Sequence, residues 1–204
     1  MRYSKYLFEE CRVQHRFPFR FDGSYNWLSG QSSHKDHIGV RSKPKLTEQW
    51  ANIKKESKRN DIRIPEDFAN FITTPRLHSK IRSISDCYFG LGRAFIPFKK
   101  GYLLRFLNDS QACAFWYLYI DSKTHKHCVA ICYDNFDSEE DDPQWLPSIQ
   151  PKDLVYDSPS FESWLCRYWL ENEIVFSHYD RTYLPDVPPR YIRAFTLDAY
   201  IEDA

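Results

Sequence analysis

Four side chains able to bind a transition metal fall close together along the chain: His125, His127, Cys128 and Cys132. Neutral imidazole and thiolate both ligate zinc. The spacing suits neither a finger nor a ribbon. On a strand Cys128 and Cys132 would stand about 13 Å apart at roughly 3.3 Å per residue, too far to share one ion. Buried thiols beside a polar turn are the plainer expectation, and no metal ligand is assigned. Cys87, Cys113 and Cys166 could in principle pair with a histidine as nucleophiles. None lies in a local signature of that chemistry, and Cys166 falls inside a helical pattern. Gly90-Leu91-Gly92-Arg93 lacks the Gly-Lys-Ser/Thr that completes a phosphate loop and precedes no helix pattern. No catalytic residue and no cofactor are assigned.

Carboxylates are the other reactive group in quantity. Glu162, Glu171 and Glu173 could pair for acid–base work or hold a divalent cation. On one helix Glu162 and Glu171 point about 180° apart, so a solvated helix face is expected for them. Asp134, Asp137, Glu139, Glu140, Asp141 and Asp142 crowd one stretch, where mutual repulsion demands a solvated loop.

The elements that position these groups are read from periodicity. Residues 1–45 mix aromatics (Phe17, Phe19, Phe21, Tyr25, Trp27) with turn-formers and are expected to form an irregular N-terminal extension. An α+β domain should occupy 46–204. Thr47 is placed to cap a helix carrying Trp50 and Ile53 and ending near Arg59. A second helix should begin at Ile64-Pro65-Glu66-Asp67-Phe68 and stop at Pro75. Four strands follow: Ile81 to Phe89, Tyr102 to Leu107, Phe115 to Ile120, and His127 to Tyr133. The short polar links between them favour antiparallel pairing. Ser158-Pro159 should open a helix whose apolar stripe is Phe161, Trp164, Leu165, Tyr168 and Trp169. A last short helix is expected over Tyr191 to Tyr200.

Composition sets the class. The chain has 204 residues, 42% hydrophobic and 17% aromatic, enough apolar surface for one sizeable core. No apolar run is long enough to cross a bilayer, and Met1 to Gln14 carries charges where a signal peptide needs an apolar stretch. A cytoplasmic protein with six free cysteines is expected. Net charge is zero but polarised. Residues 1–60 hold 13 basic and 6 acidic side chains, a net of +7, whereas 134–204 hold 5 and 16, a net of −11. Such asymmetry steers charged partners.

The order of elements resembles the SUKH superfamily, which includes fungal cell-wall-synthesis regulators and bacterial immunity proteins. The matching residues are Ile64-Pro65-Glu66-Asp67-Phe68-x-x-Phe71, the strand–turn–strand unit from Tyr102 to Ile120, and Ser160-Phe161-x-x-Trp164-Leu165, so the likeness covers about residues 46–176. Thr73-Thr74-Pro75-Arg76 departs from the aromatic-Asn-Gly turn that often follows the first helix there, and the N-terminal extension has no counterpart. The resemblance implies a central antiparallel sheet flanked by helices, no cofactor, no enzymatic activity, and a protein-binding role, in bacterial members commonly the neutralisation of a cognate toxin. Asp137, Glu139, Glu140, Asp141, Asp142, Glu171, Glu173 and Asp180 are then the expected docking surface for a basic partner. Two readings stand against this one. A metal-binding or Cys/His-dependent enzyme would centre on His125 to Cys132, and a nucleic-acid-binding protein would use the basic N-terminal third.

Overall fold

A computed structural model describes residues 19–39, 43–136 and 149–180. It is an α+β fold built on a six-stranded antiparallel sheet. In chain order the elements are α1 (Asn26–Ser29), α2 (Lys43–Arg59), α3 (Glu66–Ile72), α4 (Pro75–His78), β1 (Tyr88–Phe89), β2 (Ile96–Phe98), β3 (Gly101–Asn108), β4 (Phe115–Asp121), β5 (His127–Cys132), β6 (Val155–Ser158) and α5 (Phe161–Asp180).

The middle of the sheet is the meander β3-β4-β5, as the short polar links require. Asp121 closes the second turn, its carboxylate accepting from the N–H groups of Lys123 and Thr124 and from the Thr124 hydroxyl. Gly101 opens β3 because a Cβ there would lie 2.1 Å from the carbonyl oxygen of Ile120 on β4. β1 and β2 share the outer edge of β3 end to end, and β6 pairs with β5.

Alternation along the strands splits the interior into two clusters, one on each face of the sheet. Leu104, Phe106, Leu118, Ile120 and Val129 join the larger cluster, which takes the buried residues of all five helices. Leu103, Phe115, Tyr117, Ala130 and Cys132 form the smaller one with Ile96, Phe98 and Leu154. The larger cluster is dominated by rings. Phe161 sits 4.9 Å from Phe68, 5.2 Å from Phe106 and 5.6 Å from both Phe71 and Trp164, separations at which aromatic pairs attract.

Several boundaries differ from expectation. α2 begins at Lys43, four residues before Thr47, because Pro44 is harmless in a first turn where no intrahelical N–H is needed. Pro75 follows α3 but also opens α4. The strand expected over residues 81–89 is only Tyr88–Phe89, with Arg82 forming an isolated bridge to His37. β2 and β6 were not expected: each is four residues or fewer, too short for periodicity to show. Ser158 ends β6, and α5 is capped by Ser160, whose hydroxyl accepts from the Ser163 N–H at 3.2 Å.

Residues 19–39 are mostly irregular apart from α1, yet they are not laid loosely outside. Tyr25, Trp27, Leu28 and Ile38 are buried in the larger cluster together with α3 and α5. The helix expected over 191–200 lies outside the described residues. Among those described, no helix is long and apolar enough to cross a membrane.

Candidate functional site

The densest meeting of ionisable groups surrounds the N-terminus of α5. The first N–H groups of a helix have no partner within it, and they carry the positive end of the helix dipole. Here three different side chains take them: Phe161 N–H points at His127 Nε2 (3.4 Å), Glu162 N–H at Asp67 Oδ2 (3.2 Å), and Ser163 N–H at Ser160 Oγ. Asp67 also accepts from the Phe68 N–H at 2.8 Å, so one carboxylate serves the first turns of α3 and α5 together. The same His127 Nε2 lies 3.4 Å from Asp67 Oδ2: without a proton it accepts from the Phe161 N–H, and with one it donates to Asp67 instead. Burial alone would push the Asp67 carboxyl upward, but the hydrogen bond and charge of His127, with the N–H groups of Phe68 and Glu162, hold it below its usual range.

Glu162, the second residue of α5, faces the other way. Its carboxylate accepts from the Gly23 N–H at 2.7 Å and from the Trp27 indole N–H at 3.0 Å. Gly23 meets it through a left-handed backbone, φ 76°, which glycine adopts without strain. Tyr25 completes the knot by donating its hydroxyl to the Asp67 carbonyl at 2.7 Å. Burial, and to a lesser degree the nearby charge of Asp67, raises the Glu162 carboxyl above its usual range against the pull of these donors. Glu162 is 2% exposed, so the solvated face expected for it is corrected: residues 19–30 cover that side of α5.

A second set of charges lines the later turns of α5. Arg82 donates to both oxygens of Glu173 at 3.0 Å, His34 Nε2 lies 3.5 Å from the same carboxylate, and Arg82 stacks on the Phe176 ring. The Glu173 side chain is 12% exposed, so it is not the open carboxylate expected of a docking surface: its charge is taken up by Arg82. Arg167 pairs with Asp157, which also accepts from the Trp116 indole at 3.1 Å, and reaches Glu171 at 3.4 Å. Glu171 keeps 38% of its side chain exposed, as expected. Asp137, Glu139, Glu140, Asp141 and Asp142 lie outside the described residues, as does the side chain of Asp180.

The Cys/His stretch does not gather. His127 turns toward Asp67 on the helix side of the sheet, Cys132 belongs to the cluster on the other side, and His125 sits in the β4–β5 turn with φ 56°. Burial pushes the Cys128 and Cys132 thiols up to about 11, which removes thiolate character at neutral pH. Among the described residues no three His, Cys, Asp or Glu side chains are grouped to hold a metal ion. Gly90 and Gly92 N–H groups donate to the Phe106 and Arg105 carbonyls, and Leu91 N–H donates to Gln49 Oε1, so that loop directs its donors inward.

Sequence reasoning missed the knot. The sequence places Asp67 only in a helix start, His127 among possible ligands and Glu162 on a solvated face. The available signal was that two carboxylates, Asp67 and Glu162, each stand second in a helix, where N–H groups converge. No protein-family model, no curated protein and no solved structure matches this chain.

Proposed function

We propose that this chain is a protein-binding module of SUKH type, a cytoplasmic immunity protein that neutralises a cognate bacterial toxin or a related regulatory scaffold. The observation that carries this reading is that the knot's carboxylates are taken up by the fold's own donors. Asp67, His127 and Glu162 are the strongest convergence of acid and base among the described residues, and each is engaged by backbone or indole donors of the same fold. A general acid or base needs a free position within hydrogen-bond reach of substrate. These groups serve instead to fasten residues 19–30 and the helices to the sheet, and what remains for a partner is exterior charge.

The partner surface in this proposal is acidic and draws on Asp137, Glu139, Glu140, Asp141, Asp142, Glu171 and Asp180. Acidic side chains speed encounter with a basic protein such as a nuclease and occupy its phosphate-binding cleft. The test is co-expression with the toxin encoded beside the gene, followed by pull-down and growth rescue. Rescue that is lost when Glu139, Glu140, Asp141 and Asp142 are all changed to Lys, in protein that still folds, supports the proposal. Rescue unchanged by that reversal removes the loop from the interface, and no pull-down of any neighbouring product removes the immunity role.

A further inference from the structure

Away from the knot, the exterior of α2 carries a basic surface that no described residue neutralises. Lys54, Lys55, Lys58 and Arg59 are exposed, and with exposed Arg63 in the following link they form one run of five cations. At about 100° per residue the four helical cations span an arc of roughly 140° that starts at Lys54, on the edge of the face that buries Leu46, Trp50, Ile53 and Ser57, and runs away from it. Lys54/Lys58 and Lys55/Arg59 each stand about 6 Å apart along the axis, one turn of helix.

None of the five forms an ion pair with another described residue. Lys54 lies over the Trp50 ring at 5.7 Å. The one carboxylate within this stretch of helix, Glu56, is turned aside to accept the Phe95 N–H. Glu48 stands more than a turn before the cations, and Asp61 lies beyond the helix end. Lys58 and Arg59 complement the negative end of the helix dipole, but that accounts for the last turn alone and leaves Lys54, Lys55 and Arg63 unexplained.

We infer that the exposed face of α2 with Arg63 docks the phosphate backbone of duplex nucleic acid. Charge complementarity names a polyanion, and the lack of an exposed ring on α2 selects the duplex. Single strands are held chiefly by bases stacked on exposed rings. Among the described residues the exposed large hydrophobic side chains are Ile84 and Tyr133, neither of them on α2. A cationic helix face that touches phosphates alone binds without regard to sequence. The inference uses none of the residues of the acidic surface proposed above.

The full chain should bind a labelled 20-base-pair DNA duplex, with a log–log salt slope near −4.5 for about five phosphate contacts at roughly −0.9 each. Between 50 and 200 mM salt that slope corresponds to a loss of about 500-fold. Combining Lys55→Gln, Lys58→Gln, Arg59→Gln and Arg63→Gln should reduce the slope to about −1, while Lys55→Arg with Lys58→Arg keeps it. Lys100→Gln with Lys123→Gln, in turns of the sheet, should leave it unchanged. The inference is overturned if the duplex does not bind at 50 mM salt, if the fourfold variant keeps the full slope, or if single-stranded DNA or poly-glutamate of equal charge binds more tightly than the duplex. All variants sit on exposed positions, and an unchanged melting temperature separates lost binding from lost fold.

Discussion

The two halves of α5 obey different rules. From Phe161 to Leu170 every residue except Arg167 is buried, including Glu162, Ser163 and Cys166, which a one-sided helix would show to solvent. From Glu171 to Ser177 most residues are only half buried, and the charged ones meet partners near the surface. The difference comes from what lies outside. The sheet and α3 cover one side of the helix, and residues 19–30 add a second cover over the first half, where Trp27 meets Trp169 at 5.8 Å and Glu162 through its indole. A helix buried all round is a core element, and one buried on a single side has a face left to use. The first half therefore holds the fold, and the described residues of the second half are covered less completely.

Truncating one ring in each half makes the sharpest test. Phe161→Ala removes the ring at the centre of the aromatic cluster and should cost about 3–5 kcal/mol in denaturant unfolding, near the whole stability of a small domain. Phe176→Ala removes a half-buried ring and a cation–π contact with Arg82 and should cost no more than about 1–2 kcal/mol. Equal losses would erase the distinction between the halves.

Next in size is the clasp between residues 19–30 and α5. Glu162→Ala leaves the Trp27 indole N–H and the Gly23 N–H without acceptors, at about 1–3 kcal/mol for each buried donor orphaned. Limited proteolysis should then cut within residues 19–30 before the rest of the chain. Glu162→Gln keeps one oxygen, loses the charge that burial disfavours, and should lose about 1 kcal/mol or less. If the alanine variant resists protease as the parent does, the carboxylate is not what holds the arm.

How much of this was legible beforehand divides along the same line. The stripe Phe161, Trp164, Leu165, Tyr168, Trp169 and the meander β3-β4-β5 are local patterns, repeated every 3.6 or 2 residues, and both stand where expected. The burial of Glu162 and the pairing of Arg82 with Glu173 are long-range facts, joining residues 139 and 91 positions apart. Periodicity has no access to them. The short strands β2 and β6 escape notice for a related reason: they pair on the edges that β3 and β5 offer and are too short for alternation to stand out. A polar residue in a first helical turn reads equally as cap, dipole partner or surface until the element above it is known.

The knot also sets the acid limb of stability. Asp67 titrates below its usual value of 3.8 in the folded protein, so it stabilises the fold above that pH and loses its contribution as pH falls through its folded value. Glu162 is raised above its usual 4.5, so its contribution is complete below that pH and is lost as pH rises through the folded value. The stability gap between the parent and Asp67→Asn should be widest at neutral pH and close below about pH 4. For Glu162→Gln the trend is opposite, its deficit shrinking as pH rises from 4 toward 7. A gap of constant size across that range would mean that neither carboxylate is tuned by the knot.

The smallest effect on stability should come from Glu171, and there the contrast between the halves becomes functional. It is 38% exposed and its pairing with Arg167 is solvent-screened, so Glu171→Lys should shift unfolding by less than about 1 kcal/mol. If the proposed basic partner docks through Glu171, its encounter depends on the field outside the protein and not on that pairing, and the reversed charge should slow association and flatten its salt dependence. Glu173→Lys differs although it lies two residues away: it strands Arg82 beneath the surface and should cost stability before it changes any association rate. Stopped-flow association with the partner at two ionic strengths, set beside melts of the two variants, separates the roles. If Glu173→Lys slows association at unchanged stability, or Glu171→Lys unfolds the protein, then the boundary between the holding half and the meeting half of α5 does not lie at Glu171.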